Sequence, residues 1–341
     1  MRRYLLFAPA LAFVAGFAPE PIAQTQVSED QAFQGYIQLL AARARSEGVS
    51  EGSIQRLTWG LTFNPRVVEL DRSQPANSAS PPPIAPYIAD HVDSARIARG
   101  RAVYKDVVGI GARVEAQYGV PAPIILAIWG HETNYGAYTG DFDLPRSLAS
   151  LAYEGRRRKL FSDEFVALLK MADLGVPREQ MKGSYAGAFG NPQFLPSQYL
   201  RLAVDGDGDG RRDIWNSRSD TMASIANYFR DSGWRRGQPW GVRASLPATL
   251  GTASFPTKLR APSCQRVHER HGAWKTVAEW RGLGVTPLAP IDDSVMASLF
   301  QPDGSGTPAY LLTGNYRVIL QYNCSNYYAL SVGLLADEIA R

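Results

Sequence analysis

Only two cysteines, Cys264 and Cys324, and four histidines occur in 341 residues. That scarcity excludes a cysteine-rich zinc module. After residue 18 no stretch of 18 uninterrupted apolar residues follows, so no later segment reads as a membrane-spanning helix. Neither sign of charge dominates: 36 Lys and Arg face 32 Asp and Glu, for a net charge of +4 without a long basic stripe. This is far from the basic density of a nucleic-acid binder. The phosphate-cradling G-x-x-x-x-G-K-[ST] and the nucleophile elbow G-x-S-x-G are both missing. What is present is ordinary globular composition, with 45% apolar and 20% charged residues, which argues against a largely disordered or collagenous chain. Seven Trp and 16 Tyr are generous and suit a core or a ligand groove.

Met1-Arg2-Arg3, an apolar stretch from Tyr4 to Ala18 and small residues up to Ala23 read as a signal peptide over residues 1–23. The alternative, a membrane anchor, is disfavoured by the short run and by Pro9 and Pro19. No cysteine follows the apolar run to accept a lipid. The expectation is a periplasmic protein with no stable membrane anchor. Two cysteines in an exported chain suggest one disulfide, Cys264–Cys324, against the alternative of two free thiols. It would close a loop of about 60 residues, worth roughly 4 kcal/mol on a chain-entropy model.

Residues 28–70 carry a helical apolar period, with Phe33, Tyr36, Ile37 and Leu40 behind the N-cap candidate Ser28. Residues 71–86 are rich in Ser and Pro and read as an exposed connection. Helix resumes over 87–117. Pro121 and Pro123 then introduce an apolar helix through Ile124–Trp129 that ends near Gly136. Two helices are expected in 145–175, a loop or broken helix in 182–196, an acidic loop in 205–216 and a helix in 218–233. From 240 to 320 short β-prone runs alternate with turns, as in Gly314–Leu320. A last helix is expected in 325–340. The fold class is therefore α+β, mainly α.

Asp205, Asp207, Asp209 and Asp213 occupy positions 1, 3, 5 and 9 of a twelve-residue loop, with Gly210 at the sharp-turn position 6. Hard cations need converging oxygens, and alternate carboxylates supply them. Arg211, at position 7, would add its backbone carbonyl. Position 12 is Asn216 instead of the usual Glu, and Asp220 is a substitute. The loop reads as a structural Ca²⁺ site, the alternative being an Asp-Gly surface turn that binds nothing.

Glu132 ends the apolar helix, after Trp129-Gly130-His131 and before Thr133-Asn134-Tyr135-Gly136. A carboxyl group at the negative end of a helix dipole, among apolar neighbours, is driven toward the neutral form that a general acid needs. By itself this pattern fits a paired or solvated glutamate better than an acid. His131-Glu132 is not a zinc-protease motif, because Tyr135 stands where the second His belongs.

Read together, Trp129–Gly136, Gly183–Ser197, the acidic loop, Ala226–Phe229, Gly233-Trp234 and Tyr322–Leu330 resemble the lytic murein transglycosylase B family, glycoside hydrolase family 103. The resemblance runs from about residue 30 to the C-terminus. It implies a lysozyme-like helical core, an N-terminal helical region and a β-containing insertion. It divides the chain into 24–117, a core of 118–240 with the metal loop at 205–220, an insertion of 241–320 and a returning helix of 321–341, without a separate wall-binding module. The implied substrate is the peptidoglycan glycan strand, and the implied cofactor is structural Ca²⁺, with no organic cofactor. Proteins of cell-wall synthesis or remodelling are further partners it allows. Matched by motif, Glu132 is the acid/base. Ser184, Gln193, Tyr228, Tyr322, Asn323 and Tyr328 line the sugar groove, and Asp205, Asp207, Asp209 and Asp220 hold the metal. Cys324 stands where the family motif has His. Tyr185, Phe189 and Phe194 suit either core or substrate contact. Arg156-Arg157-Arg158-Lys159 suits stem-peptide carboxylates or a solvated helix face. The implied reaction cleaves the β-1,4 bond between N-acetylmuramic acid and N-acetylglucosamine and leaves a 1,6-anhydro end. A lysozyme-type hydrolase and a Ca²⁺-braced wall-binding protein are the rival readings.

Overall fold

The computed structural model describes residues 28–74, 82–257, 260–261 and 263–341. The signal-peptide reading for 1–23 and part of the 71–86 connection lie outside these residues. Among them the chain runs through α1 (Glu29–Ser46), α2 (Glu51–Thr58), α3 (Pro65–Arg72), α4 (Ile84–His91), α5 (Ser94–Asp106), α6 (Val108–Tyr118) and α7 (Ala122–Thr133). A two-residue strand β1 (Phe142–Asp143) leads into α8 (Leu144–Glu154) and α9 (Arg158–Asp173). Strand β2 (Lys182–Gly183) pairs antiparallel with β1, and α10 (Pro196–Leu202) and α11 (Arg218–Asp231) follow. The remainder is β3 (Gly241–Ser245), α12 (Gln265–His268), β4 (Trp274–Thr276), α13 (Val277–Gly282), β5 (Thr286–Pro287), β6 (Met296–Phe300), β7 (Ala309–Leu312), α14 (Gly314–Tyr322) and α15 (Asn326–Ala340).

Helix α7 is the axis of the core. Pro121 and Pro123 pre-set its first turn, where a missing N–H is harmless. Ile124 through Gly130 are all buried, as expected of a helix that is apolar all round. It packs against α5, α11 and α15. The last helix therefore returns to the middle of the fold.

The five strands β3–β7 form an antiparallel sheet in the order β4-β6-β7-β3-β5. This sheet has its own core of Val242, Val277, Trp280, Val285, Ala297, Leu299 and Leu311. Trp280 is fully buried there, with its indole N–H on the Ala297 carbonyl at 2.9 Å. The mainly helical α+β class expected from the sequence is the one found.

One expected strand is a helix. Gly314–Leu320 forms most of α14, because Thr313 caps it by accepting the Asn315 N–H, and Tyr316, Ile319 and Leu320 share one buried helical face. Packing against the helical core overrides the β-prone composition. Cys264 and Cys324 lie at disulfide distance, with Cα atoms 5.6 Å apart. Arg156 and Arg157 have a role inside the fold as well: both guanidinium groups bind the buried Asp71 carboxylate, clamping α3 to the α8–α9 turn.

Candidate active site

Helix α7 stops at Thr133 because Asn134 adopts the left-handed conformation, φ 50° and ψ 50°. Glu132 is thus fixed in the last turn. Gly130, two residues earlier, leaves room for the Tyr135 ring, from which a Cβ there would lie only 2.6 Å. Thr133 joins its hydroxyl to the Asn191 carbonyl at 3.2 Å and accepts the Gly136 N–H at 3.0 Å.

Tyr328, on the first turn of α15, donates its hydroxyl to Glu132 Oε1 at 2.6 Å. Burial pushes the Glu132 carboxyl up to about 7, and the Tyr328 hydrogen bond pulls the other way. No charged side chain is among the groups that perturb it. The carboxyl group is therefore poised to be neutral or ionised near pH 7, as a group that gives and retakes a proton must be.

Tyr322 and Tyr228 complete this wall, their rings 4.7 Å apart. Tyr322 feels the charge of Glu132. Its hydroxyl donates to the Pro192 carbonyl, and that of Tyr228 donates to Gln321 O at 2.7 Å. The three tyrosine hydroxyls are therefore engaged within the protein, and the rings are what Tyr228 and Tyr322 can offer a ligand. Gln193 and Ser184 stand on the far side of the loop that follows Glu132. Gln193, at φ 52°, donates to Thr139 O at 3.1 Å, and Ser184 Oγ accepts the Ala188 N–H at 3.0 Å. Asn323 is exposed next to Tyr322. Phe189 and Phe194 are core residues, almost fully buried. Tyr185 is half-buried, and its hydroxyl accepts from Gln74 at 2.6 Å.

One contributor has no signal in the sequence motif. Tyr87, on α4, lies close enough to Glu132 for the carboxylate to oppose its ionisation. It is stacked on His91 at 3.7 Å and edge-on to Tyr327 at 5.4 Å. It stands 45 positions before Glu132, and only the folded chain brings it there. His131 points away from Glu132, and burial holds its imidazole down to about 3, so it is neutral. Its Nδ1–H donates to Ala127 O at 2.9 Å, which leaves Nε2 to accept the Ser331 hydroxyl at 2.7 Å. Ser331 sits one turn beyond Tyr328, so this bond fixes α15 against α7 where the Glu132–Tyr328 pair forms.

In the acidic loop, carboxylate oxygens of Asp205, Asp207 and Asp209 lie within 4.8 Å of one another, which fits convergence on one hard cation. Asp220 does not join them. Its two oxygens accept the Gly206 and Asp213 N–H groups at 2.8 and 2.6 Å, so it braces the loop from α11. Arg211 is exposed, with its N–H on Asp209 at 2.8 Å. The loop reaches the site through Asn191. Asn191 N–H binds Ile214 O at 2.9 Å, and its amide nitrogen binds Trp215 O and Thr221 Oγ1 at 3.1 Å each.

Residues 32–337 match the transglycosylase SLT domain family. The chain belongs to that family. It is 34% identical over 226 residues to the membrane-bound lytic murein transglycosylase B of Escherichia coli (strain K12), a match spanning 65% of this chain and 58% of that relative's length. SltB3 from Pseudomonas aeruginosa, solved in complex with NAG-anhNAM-pentapeptide, aligns with a TM-score of 0.81 and 39% identity, over 91% of this chain and 80% of that one. Escherichia coli Slt35 in complex with calcium aligns with a TM-score of 0.73 and 27% identity, over 95% and 98% of the two chains. Among the described residues of this transglycosylase-family chain, no helix is long and apolar enough to cross a membrane.

Proposed function

We propose that the protein is a lytic transglycosylase of peptidoglycan that cleaves the β-1,4 bond between N-acetylmuramic acid and N-acetylglucosamine and leaves 1,6-anhydro-N-acetylmuramic acid, with Glu132 as its single general acid/base. The observation that carries this reading is a carboxyl group near pKa 7, held by Tyr328 and perturbed by no other charge. Most glycosidases flank the bond with two carboxylates. One is enough if the nucleophile belongs to the substrate. Neutral Glu132 gives its proton to the glycosidic oxygen as the bond to C1 breaks, through an oxocarbenium-like state. The Glu132 carboxylate then takes the proton of the C6 hydroxyl as that oxygen closes onto C1. Glu132 ends protonated, and no water is consumed. Ser184, Gln193, Tyr228, Tyr322 and Asn323 line the groove, and Tyr328 orients the acid. Product mass tests the reading: an anhydro end is lighter by one water than the reducing end a hydrolase makes. Only reducing ends would make this protein a hydrolase.

The acid form must be present at the start, so kcat/KM should fall as pH rises through about 7. Tyr328→Phe removes the bond that favours the carboxylate. The alkaline limb should then move up by about one pH unit, because hydrogen bonds to charged groups are worth about 1.5–3 kcal/mol. A pH–rate profile with an unmoved limb would refute this role for Tyr328.

In the same reading, Asp205, Asp207 and Asp209, with the Arg211 carbonyl, hold a Ca²⁺ ion, and Asp220 closes the loop. The ion supplies a structural brace, relayed to Thr133 by Asn191, and takes no part in bond cleavage. A ligand at 100 times its Kd adds about 2.7 kcal/mol when it binds the native state alone. The Tm should therefore fall when Ca²⁺ is replaced by a chelator, and superimposable melting curves would count against the site. Residues 1–23 direct export to the periplasm, where the Cys264–Cys324 pair is oxidised.

A further inference from the structure

The loop between Glu132 and β1 shows one large side chain to solvent. Tyr138 is 75% exposed, and its side chain makes no ring contact or hydrogen bond among the described residues. An exposed aromatic ring alone needs no explanation. The seat of this one does. Tyr138 N–H is tied to Thr133 O at 3.0 Å, so its backbone is anchored to the end of α7 beside Glu132. The next residue, Thr139, gives its carbonyl to Gln193 Nε2 at 3.1 Å. Gly140, at φ 87°, lies so close to the chain at Gly183 and Ser184 that a Cβ there would be 2.3 Å from the Gly183 carbonyl and 2.7 Å from Ser184 N. No side chain fits in that gap, so the rim is drawn tightly onto the chain where β2 ends at Gly183 and Ser184 follows. Tyr138 is therefore held between Glu132 on one side and Gln193 and Ser184 on the other, on backbone fixed at both ends, with its ring unused by the fold.

We propose that Tyr138 is a stacking platform for a sugar ring of the glycan strand, at the rim of the groove and beyond the two rings joined by the bond that is cut. The proposal rests on the glycan-cleaving reading above. A rigid aromatic at a groove edge supplies apolar area with little entropy to lose, and the apolar C–H face of a pyranose is what such a ring covers. The ring, not its hydroxyl, makes the contact. Tyr138 thereby favours long strands over short ones and leaves the bond-breaking step untouched.

The test compares Tyr138→Ala, Tyr138→Phe and wild type on two readouts. Calorimetry measures Kd for the chito-oligosaccharide trimer and hexamer, and product release measures kcat and KM on purified peptidoglycan. For Tyr138→Ala the hexamer Kd and the peptidoglycan KM should rise about three- to tenfold, the size of one aromatic stacking contact. The trimer Kd and kcat should stay put, and Tyr138→Phe should behave as wild type. The assignment is overturned if Tyr138→Ala binds the hexamer like wild type, if trimer and hexamer weaken equally, or if Tyr138→Phe loses as much as Tyr138→Ala. A wild type that releases no product from peptidoglycan overturns the underlying glycan-cleaving reading and this proposal with it. Normal wild-type turnover with an indifferent Tyr138→Ala overturns the proposal alone.

Discussion

Glu132→Gln should yield a folded protein that releases anhydro-muropeptides at least about 10²- to 10⁴-fold more slowly, the range that general acid–base catalysis supplies. The amide keeps the size of the side chain and can still accept from Tyr328, so the wall of Tyr228, Tyr322 and Tyr328 should persist. On the proposed mechanism, what is lost is the one proton carrier for both halves of the reaction. Stability gives a second readout. The Glu132 carboxyl lies at about 7 in the folded chain against 4.5 in an unfolded one. Its contribution is fully present below pH 4.5 and is lost as pH rises through 7. An amide has no such dependence. Between pH 4 and pH 9 the variant should therefore gain about 3 kcal/mol on the wild type. Denaturant unfolding at the two pH values measures this. A folded variant with near-normal turnover, or a stability difference that ignores pH, would remove Glu132 from its assigned role.

The second large effect is expected in the sheet. Trp280→Ala empties the centre of the small core beneath β3, β6 and β7 and removes the indole hydrogen bond to the Ala297 carbonyl. Large aromatic-to-alanine changes cost about 3–5 kcal/mol. The edge-on contact with Phe255, at 5.1 Å between ring centroids, is lost as well. Because the sheet core is separate from the helical core, it should unfold first in the variant, giving a denaturant transition with two steps or a reduced slope. A single transition with a wild-type slope and midpoint would show that Trp280 does not hold this unit together.

Where the sequence was legible, local chemistry and packing agreed. The Pro start and apolar run of α7 mark a buried helix, and Glu132 follows directly from its end. The spacing of Asp205, Asp207 and Asp209 likewise specifies a loop whose carboxylates converge. Long-range partners were not legible. Arg156 and Arg157 look like surface charge until α3 brings Asp71 between them. Asp220 sits at a plausible ligand spacing, yet backbone N–H groups occupy both of its oxygens. Gly314–Leu320 looks like a strand because β-branched and aromatic residues also suit a buried helix face. The motif names tyrosines that the fold brings together, but which hydroxyls are engaged within the protein depends on carbonyls that only the tertiary fold supplies.

Glu132 and the Tyr328 hydroxyl that holds it are 196 residues apart in sequence, on α7 and α15. Helix α7 has its apolar surface early in synthesis, but it receives α15 only when nearly the whole chain has been made. A ribosome holding a chain short of residue 326 therefore holds one in which the Glu132–Tyr328 pair has not formed. Completion of the polypeptide is itself the step that assembles this pair.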